Sequence, residues 1–159
     1  MNERPVIDPR LDLVLERVVP VRPEVLWRAW TEPDHLMKWF TPVPWQTVAC
    51  EIDLRPGGVF STTMRSPKGV TQPASSGCYL EVVPHRRLTF TDALGPGYRP
   101  TGSPFMTATI LFEPEGQGTR YVAIARHVNE EGRTRHESMG FTTGWGTALD
   151  QLVAMAGTI

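Results

Sequence analysis

The sequence predicts an α+β fold in which a curved antiparallel β-sheet wraps around a long C-terminal helix. Strand-like segments follow one another between residues 46 and 127 without an intervening helix, which is typical of α+β proteins and not of alternating βαβ units. None of the 15 prolines lies beyond Pro114, so the chain from Asn129 to Ile159 can form one long helix. Pro23 and Pro33 predict the starts of two short helices after the first strand.

The elements follow in order from hydrophobic periodicity and turn residues. The first strand is predicted over Leu11–Val19, where leucines alternate with polar residues. One short helix then begins at Pro23, and a second covers Asp34–Phe40. The segment Gly95–Pro104, rich in proline and glycine, is predicted to be a wide loop. Six further strands are predicted at Gln46–Leu54, Val59–Arg65, Ser75–Val83, Arg87–Asp92, Phe105–Glu113 and Thr119–His127.

Length and composition indicate one domain and exclude several classes of partner. A chain of 159 residues with 40% apolar residues fits a single domain over residues 11–159. The polar first ten residues, with Pro5 and Pro9, are predicted to form a flexible arm. The net charge of −1 argues against nucleic-acid or membrane binding. Because no membrane span or signal peptide is visible and Cys50 and Cys78 fit neither zinc nor a disulfide framework, we expect a cytoplasmic protein without metal or cofactor.

Several motifs in the right order carry a family resemblance. Asp53–Gly58, Gly77–Val83, Phe112–Pro114 and Gly144–Leu152 resemble the START-like, Bet v 1-like (SRPBCC) superfamily, and within it the homologues of the C-terminal domain of the activator of Hsp90 ATPase. The resemblance covers nearly all of the chain from Leu11 onward. It implies the helix-grip fold, with a cavity between helix and sheet. Superfamily members bind lipids, sterols or polyketides, and some catalyse cyclisation or hydrolysis. The co-chaperone's separate N-terminal domain has no counterpart here, which argues against an Hsp90-type partner.

Small residues predict where this cavity lies. Gly140, Gly144 and Gly146 would each cost roughly 1 kcal/mol inside a helix relative to alanine, and space for a ligand could offset that cost. Ala123 and Ala125, on one face of the last strand, are equally small. The tryptophans of the short helices would cover the cavity, although an ordinary packed core is the alternative for each of them. The predicted ligand contacts are Trp27, Trp30, Trp39, Phe60, Met64, Tyr79, Phe90, Ala108, Tyr121, Ala123, Gly140, Gly144, Trp145 and Leu149.

Three polar residues are candidates for catalysis inside the fold. His127 could act as acid or base with Asp92 or Glu81, because imidazole titrates near neutrality. The alternative is structural: an ion pair or a contact at the rim, such as Glu81 with Arg87, or a histidine that caps the final helix. No nucleophile motif and no metal-binding spacing accompanies these residues.

The expected function is therefore the binding of a small hydrophobic or aromatic molecule. A cyclase or hydrolase activity and a role as an Hsp90-type chaperone cofactor remain alternatives. A homodimer is a further alternative, because an exposed sheet edge can pair with a second copy of the chain.

Overall fold

The computed structural model describes residues 4–102 and 104–159. Residues 1–3 of the predicted arm, and Ser103 in the predicted loop, lie outside the described residues. The elements are β1 (Asp12–Val19), α1 (Pro23–Thr31), α2 (Pro33–Leu36), β2 (Gln46–Ile52), β3 (Val59–Arg65), β4 (Ser75–Val83), β5 (Arg87–Thr91), β6 (Leu94–Gly95), β7 (Arg99–Pro100), β8 (Thr107–Glu115), β9 (Gly118–Arg126), α3 (Glu130–Ser138) and α4 (Phe141–Ala156).

Seven of the strands form one antiparallel sheet, which confirms the predicted fold class. The strand order is β1-β9-β8-β5-β4-β3-β2, and the sheet curls into a half-barrel with α4 as the C-terminal helix. Strand β8 begins two residues later than predicted because the backbone N–H groups of Phe105 and Met106 donate to Asp92 Oδ1, at 2.8 and 3.1 Å. Asp92 also directly follows Thr91, the last residue of β5.

The single long helix predicted over Asn129–Ile159 is wrong. Helix α3 begins after Asn129, whose Oδ1 accepts a hydrogen bond from the N–H of Gly132 at 2.8 Å, as a helix N-cap does. It ends at Ser138, and α4 starts after Gly140, which has φ of +92°. Only glycine adopts that left-handed conformation without strain. Gly140 therefore separates two helices and carries no cost of a helix-interior glycine.

Two smaller predictions also need correction. The second short helix covers only Pro33–Leu36, and not Asp34–Phe40, because the chain leaves helical geometry in a turn after Leu36. The predicted wide loop contains the two-stranded ladder β6–β7, which is closed by a short turn where Gly97 has φ of +74°.

The main core lies between the inward face of the sheet and the helices. Helix α4 buries Leu149 and Leu152 against it, while β9 contributes Tyr121 and the predicted small residue Ala123. On the outer face of the sheet, Arg4 of the N-terminal segment donates hydrogen bonds to Glu16 and Glu113 at 2.8–3.0 Å. The domain boundary at residue 10 stays a prediction.

Candidate functional site

A cavity of about 320 Å³ lies between α4, the segment after α2 and the inward face of the sheet. This volume falls within the range of small-molecule sites, and walls that are mostly apolar and aromatic are typical of them. Two of the three methionines that line the cavity, Met64 and Met139, are 38% and 67% exposed to solvent. They mark its mouth, and their flexible thioether side chains can adjust to the shape of a ligand.

Nine of the fourteen predicted contact residues line this cavity. They are Trp30, Trp39, Met64, Phe90, Tyr121, Gly140, Gly144, Trp145 and Leu149. Contact between these residues and a ligand stays a prediction.

The other five lie in the packed core beside the cavity: Trp27, Phe60, Tyr79, Ala108 and Ala123. Trp27 packs edge-on against Phe112, with ring centroids 5.6 Å apart, so the alternative of an ordinary core holds for it. Phe60 stacks on Tyr79 at 5.3 Å, and both rings lie behind the cavity wall.

Sequence reasoning did not select eight lining residues as ligand contacts: Phe40, Pro42, Phe105, Met106, His136, Met139, Phe141 and Ala148. Some of them carried a signal. Phe141 and Ala148 lie three or four residues from Gly144 and so share its helix face, and Met106 falls on the inward face two residues before Ala108. Phe105 carried none, because tertiary contacts place it beside the cavity: its backbone N–H donates to Asp92 Oδ1 and its ring packs against His136.

The aromatic side of the wall is held by hydrogen bonds from the indole groups. Trp30 packs against Trp39 and Phe90, with ring centroids 4.9 and 5.7 Å apart. Trp39 Nε1 donates to the backbone carbonyl of Ala29 at 3.0 Å. Because Trp39 is only 2% exposed, it forms the inner wall and does not lie at the mouth.

Tyr121 contributes one polar group to the wall. Trp30 Nε1 donates a hydrogen bond to Tyr121 Oη at 3.1 Å, so the hydrogen of that hydroxyl is not used in this bond. Burial raises the pKa of Tyr121 well above its usual value, because the charged phenolate would lose its hydration. Tyr121 is therefore a neutral hydroxyl at physiological pH.

A pair of histidines forms the second polar feature. His127 Nδ1 lies 2.7 Å from the carbonyl oxygen of Leu11, and His127 Nε2 lies 2.9 Å from His136 Nδ1. A carbonyl oxygen only accepts hydrogen bonds, so Nδ1 of His127 carries the hydrogen. When neither ring carries a second hydrogen, His127 Nε2 accepts a hydrogen bond from His136 Nδ1–H. The Nε2 atom of His136 is left as a bare acceptor.

His136 is neutral because of its surroundings. The residue is 6% exposed, and its ring lies 4.6 Å from that of Phe105 and 5.1 Å from that of Phe141, measured between centroids. Burial, and to a lesser extent the neighbouring His127, lower the pKa of His136 to about 4. The unprotonated ring therefore dominates near neutral pH.

The predicted catalytic pairs are not assembled. Asp92 Oδ1 is occupied by two backbone N–H groups, and Glu81, exposed on the outer face of the sheet, accepts from Thr89 Oγ1 at 2.9 Å. Among the described residues, no hydrogen bond or ion pair joins His127 to either carboxylate. The structural alternative is confirmed for Glu81, which lies 3.8 Å from Arg87 Nη1. His127 instead forms a hydrogen bond with His136, which lies on α3. The spacing of residues in the sequence does not predict this contact.

Two further properties concern metals and membranes. No group of three or more His, Cys, Asp or Glu side chains in residues 4–102 and 104–159 could hold a metal ion. Within the same ranges, no helix has both the length and the apolar character that crossing a membrane requires.

Comparisons with known proteins agree with this fold. The family model described as "Activator of Hsp90 ATPase homolog 1-like protein" matches residues 20–157. A crystal structure of a Nitrosomonas europaea protein is 46% identical, with a TM-score of 0.92 over 96% of this chain and 97% of that one. A Chromobacterium violaceum protein is 26% identical over 91% and 96% of the two chains, with a TM-score of 0.72.

A third solved structure has a lower sequence identity and supports only the similarity of the fold. This Rhodobacter sphaeroides protein is 21% identical over 97% of both chains, with a TM-score of 0.82. No curated protein matches the chain significantly.

Proposed function

Because the chain belongs to the family of activator of Hsp90 ATPase homolog 1-like proteins, we propose that it uses its helix-grip-like fold to bind a small hydrophobic or aromatic molecule. The observation that carries this proposal is the cavity of about 320 Å³ beside α4, with its aromatic walls. Such walls favour an uncharged apolar ligand, because a charged group would lose its hydration there without a compensating partner. Both cysteines are free thiols, which suits a reducing compartment, and a cytoplasmic location is part of the proposal.

Gly144 offers a direct test of where the ligand binds. A Cβ atom built on Gly144 meets no other atom within 4 Å, although the residue lies on the cavity wall. A leucine at this position would therefore extend into the cavity without colliding with the backbone. We expect Gly144→Leu to stay folded and to lose the binding of naphthalene-sized probes such as 2-methylnaphthalene and 2-naphthol, as measured by isothermal titration calorimetry.

Ala154→Leu is the matched control, because Ala154 lies on the exposed side of the same helix. This variant should bind the probes as the unmodified protein does. Unchanged binding by Gly144→Leu, or no binding of either probe by the unmodified protein, would contradict the proposal.

A further inference from the structure

The cavity wall contains a hydrogen-bond acceptor that the protein does not use. His136 lines the cavity and is 94% buried, since its exposed fraction is 6%. Its Nδ1 atom is engaged with His127 at 2.9 Å. Within the part of the chain that is described, its Nε2 atom makes no hydrogen bond. Because Nε2 is not among the fully enclosed polar atoms that lack a partner, it is accessible from the cavity and can accept a hydrogen bond from a molecule bound there.

We propose that His136 Nε2 accepts a hydrogen bond from a hydroxyl group of the ligand, and that the ligand class is the hydroxylated aromatic molecules. This inference rests on the proposed binding function and names the chemistry that the cavity recognises.

The orientation of the histidine pair decides the chemistry of this contact. The carbonyl oxygen of Leu11 fixes the hydrogen of His127 on Nδ1, and His127 Nε2 in turn fixes the hydrogen of His136 on Nδ1. His136 Nε2 is then held as an acceptor by two successive hydrogen bonds. A ligand carboxylate would place a second acceptor against this atom, and a ligand ammonium group would be a charge in an apolar site. A neutral hydroxyl donor fits both requirements.

The rings around His136 indicate that the rest of the ligand is aromatic. Phe105 and Phe141 flank the imidazole, and the Trp145 ring lies 6.2 Å from it between centroids. Aromatic groups favour edge-on and offset contacts of this kind at separations of about 4.5–7 Å. An aryl ring that carries a hydroxyl can therefore pack against these side chains while its O–H points to Nε2.

A matched pair of probes tests the hydroxyl contact. 2-Naphthol and 2-methylnaphthalene have nearly the same shape, but only the first can donate a hydrogen bond. We expect the unmodified protein to bind 2-naphthol about tenfold more tightly, because a site with a buried polar group discriminates against a ligand that leaves it unpaired. 2-Methoxynaphthalene, which accepts but cannot donate, should bind like the methyl compound. Calorimetric titrations at pH 7 measure all three.

Substitution of the acceptor should remove this preference. His136→Phe keeps an aromatic ring of similar size and removes Nε2, so we expect 2-naphthol and 2-methylnaphthalene to bind equally. His35→Phe is the control, because it removes a histidine of α2 that does not line the cavity, and it should retain the preference. Equal binding of the two probes by the unmodified protein would overturn the inference and leave the proposed function standing.

A spectroscopic measurement keeps the test independent of whether the variant folds. In the unmodified protein, the ¹⁵N resonance of His136 Nε2 should shift on addition of 2-naphthol and stay unchanged with 2-methylnaphthalene. A shift with neither probe, although both bind, would overturn the inference. If neither probe binds at all, the proposed function fails, and the inference fails with it.

Discussion

Two buried tyrosines of the same core differ in a single hydrogen bond. Tyr121 Oη accepts from Trp30 Nε1, whereas the buried Oη of Tyr79 has no hydrogen-bond partner among the described residues. Burial raises the pKa of both hydroxyls, so neither is ionised near neutral pH. A comparison of the two tyrosines therefore separates the effect of a hydrogen bond on stability from the effect of burying a phenol ring.

We expect Tyr121→Phe to lower the free energy of unfolding by about 1–3 kcal/mol, because the substitution leaves Trp30 Nε1 buried without an acceptor. Tyr79→Phe removes a hydroxyl that no protein group satisfies, so its free energy of unfolding should stay within about 0.5 kcal/mol or increase. Urea unfolding of the two variants measures the difference. Equal losses of stability in both would contradict this account.

At the residue scale, the candidate site was only partly predictable from sequence. Tyr121, Trp145 and Leu149 were predicted contact residues and all three line the cavity, because strand alternation and helical spacing determine which residues share a face. The partner of His127 could not be predicted, because His136 reaches it only through the turn between β9 and α3. Hydrogen-bond partners of this kind depend on tertiary structure, which local periodicity does not contain.

At the scale of elements, Gly140 and Gly144 look alike in the sequence and have different roles. Gly140 holds a left-handed conformation between α3 and α4, while Gly144 lies inside α4 beside open space. Gly146 has yet another environment, because a Cβ atom there would lie 3.2 Å from Nη2 of Arg17. Arg17 also pairs with Asp150, so alanine at position 146 would require this side chain to shift.

We expect opposite effects when alanine replaces the first two glycines. Gly140→Ala should lower the free energy of unfolding by about 1–2 kcal/mol, since a Cβ atom is strained at positive φ. Gly144→Ala should raise it by up to about 1 kcal/mol, because alanine is favoured over glycine in a helix interior and no atom obstructs its methyl group. Chemical denaturation of both variants measures these changes. If Gly140→Ala proved as stable as Gly144→Ala, the break between α3 and α4 would not depend on glycine.

At the scale of the whole molecule, the sequence predicted the architecture better than the boundaries. Alternating apolar residues and turn residues identified all seven strands of the main sheet, because each strand buries one face over several residues. The break at Gly140 was missed because the same residue can occupy a helix interior or end a helix. The segment Gly95–Pro104 was predicted as a loop because it is rich in proline and glycine, and the β6–β7 pairing is decided by the turn at Gly97.

The titration of His136 predicts how the stability of the whole protein depends on pH. His127 is the titratable side chain packed against its ring, while Phe105, Phe141 and Trp145 supply the remaining ring contacts. The pKa of His136 is lowered from 6.5 to about 4 in the folded state. Between these values the unfolded chain binds a proton that the folded chain does not, so the free energy of unfolding falls as the pH decreases.

Protonation of His136 lowers the free energy of unfolding by at most roughly 3 kcal/mol. This loss is reached near pH 4 and is absent above about pH 7. The exposed carboxylate of Glu16 has a pKa lowered from 4.5, chiefly by its hydrogen bonds with Arg4, so its contribution is lost at lower pH than most of the His136 contribution. Urea unfolding at several pH values should therefore show a slope between pH 6.5 and 4.5 that is much smaller in His136→Phe. An equal slope in the variant would mean that other groups, and not the buried histidine of the cavity wall, control stability in this range.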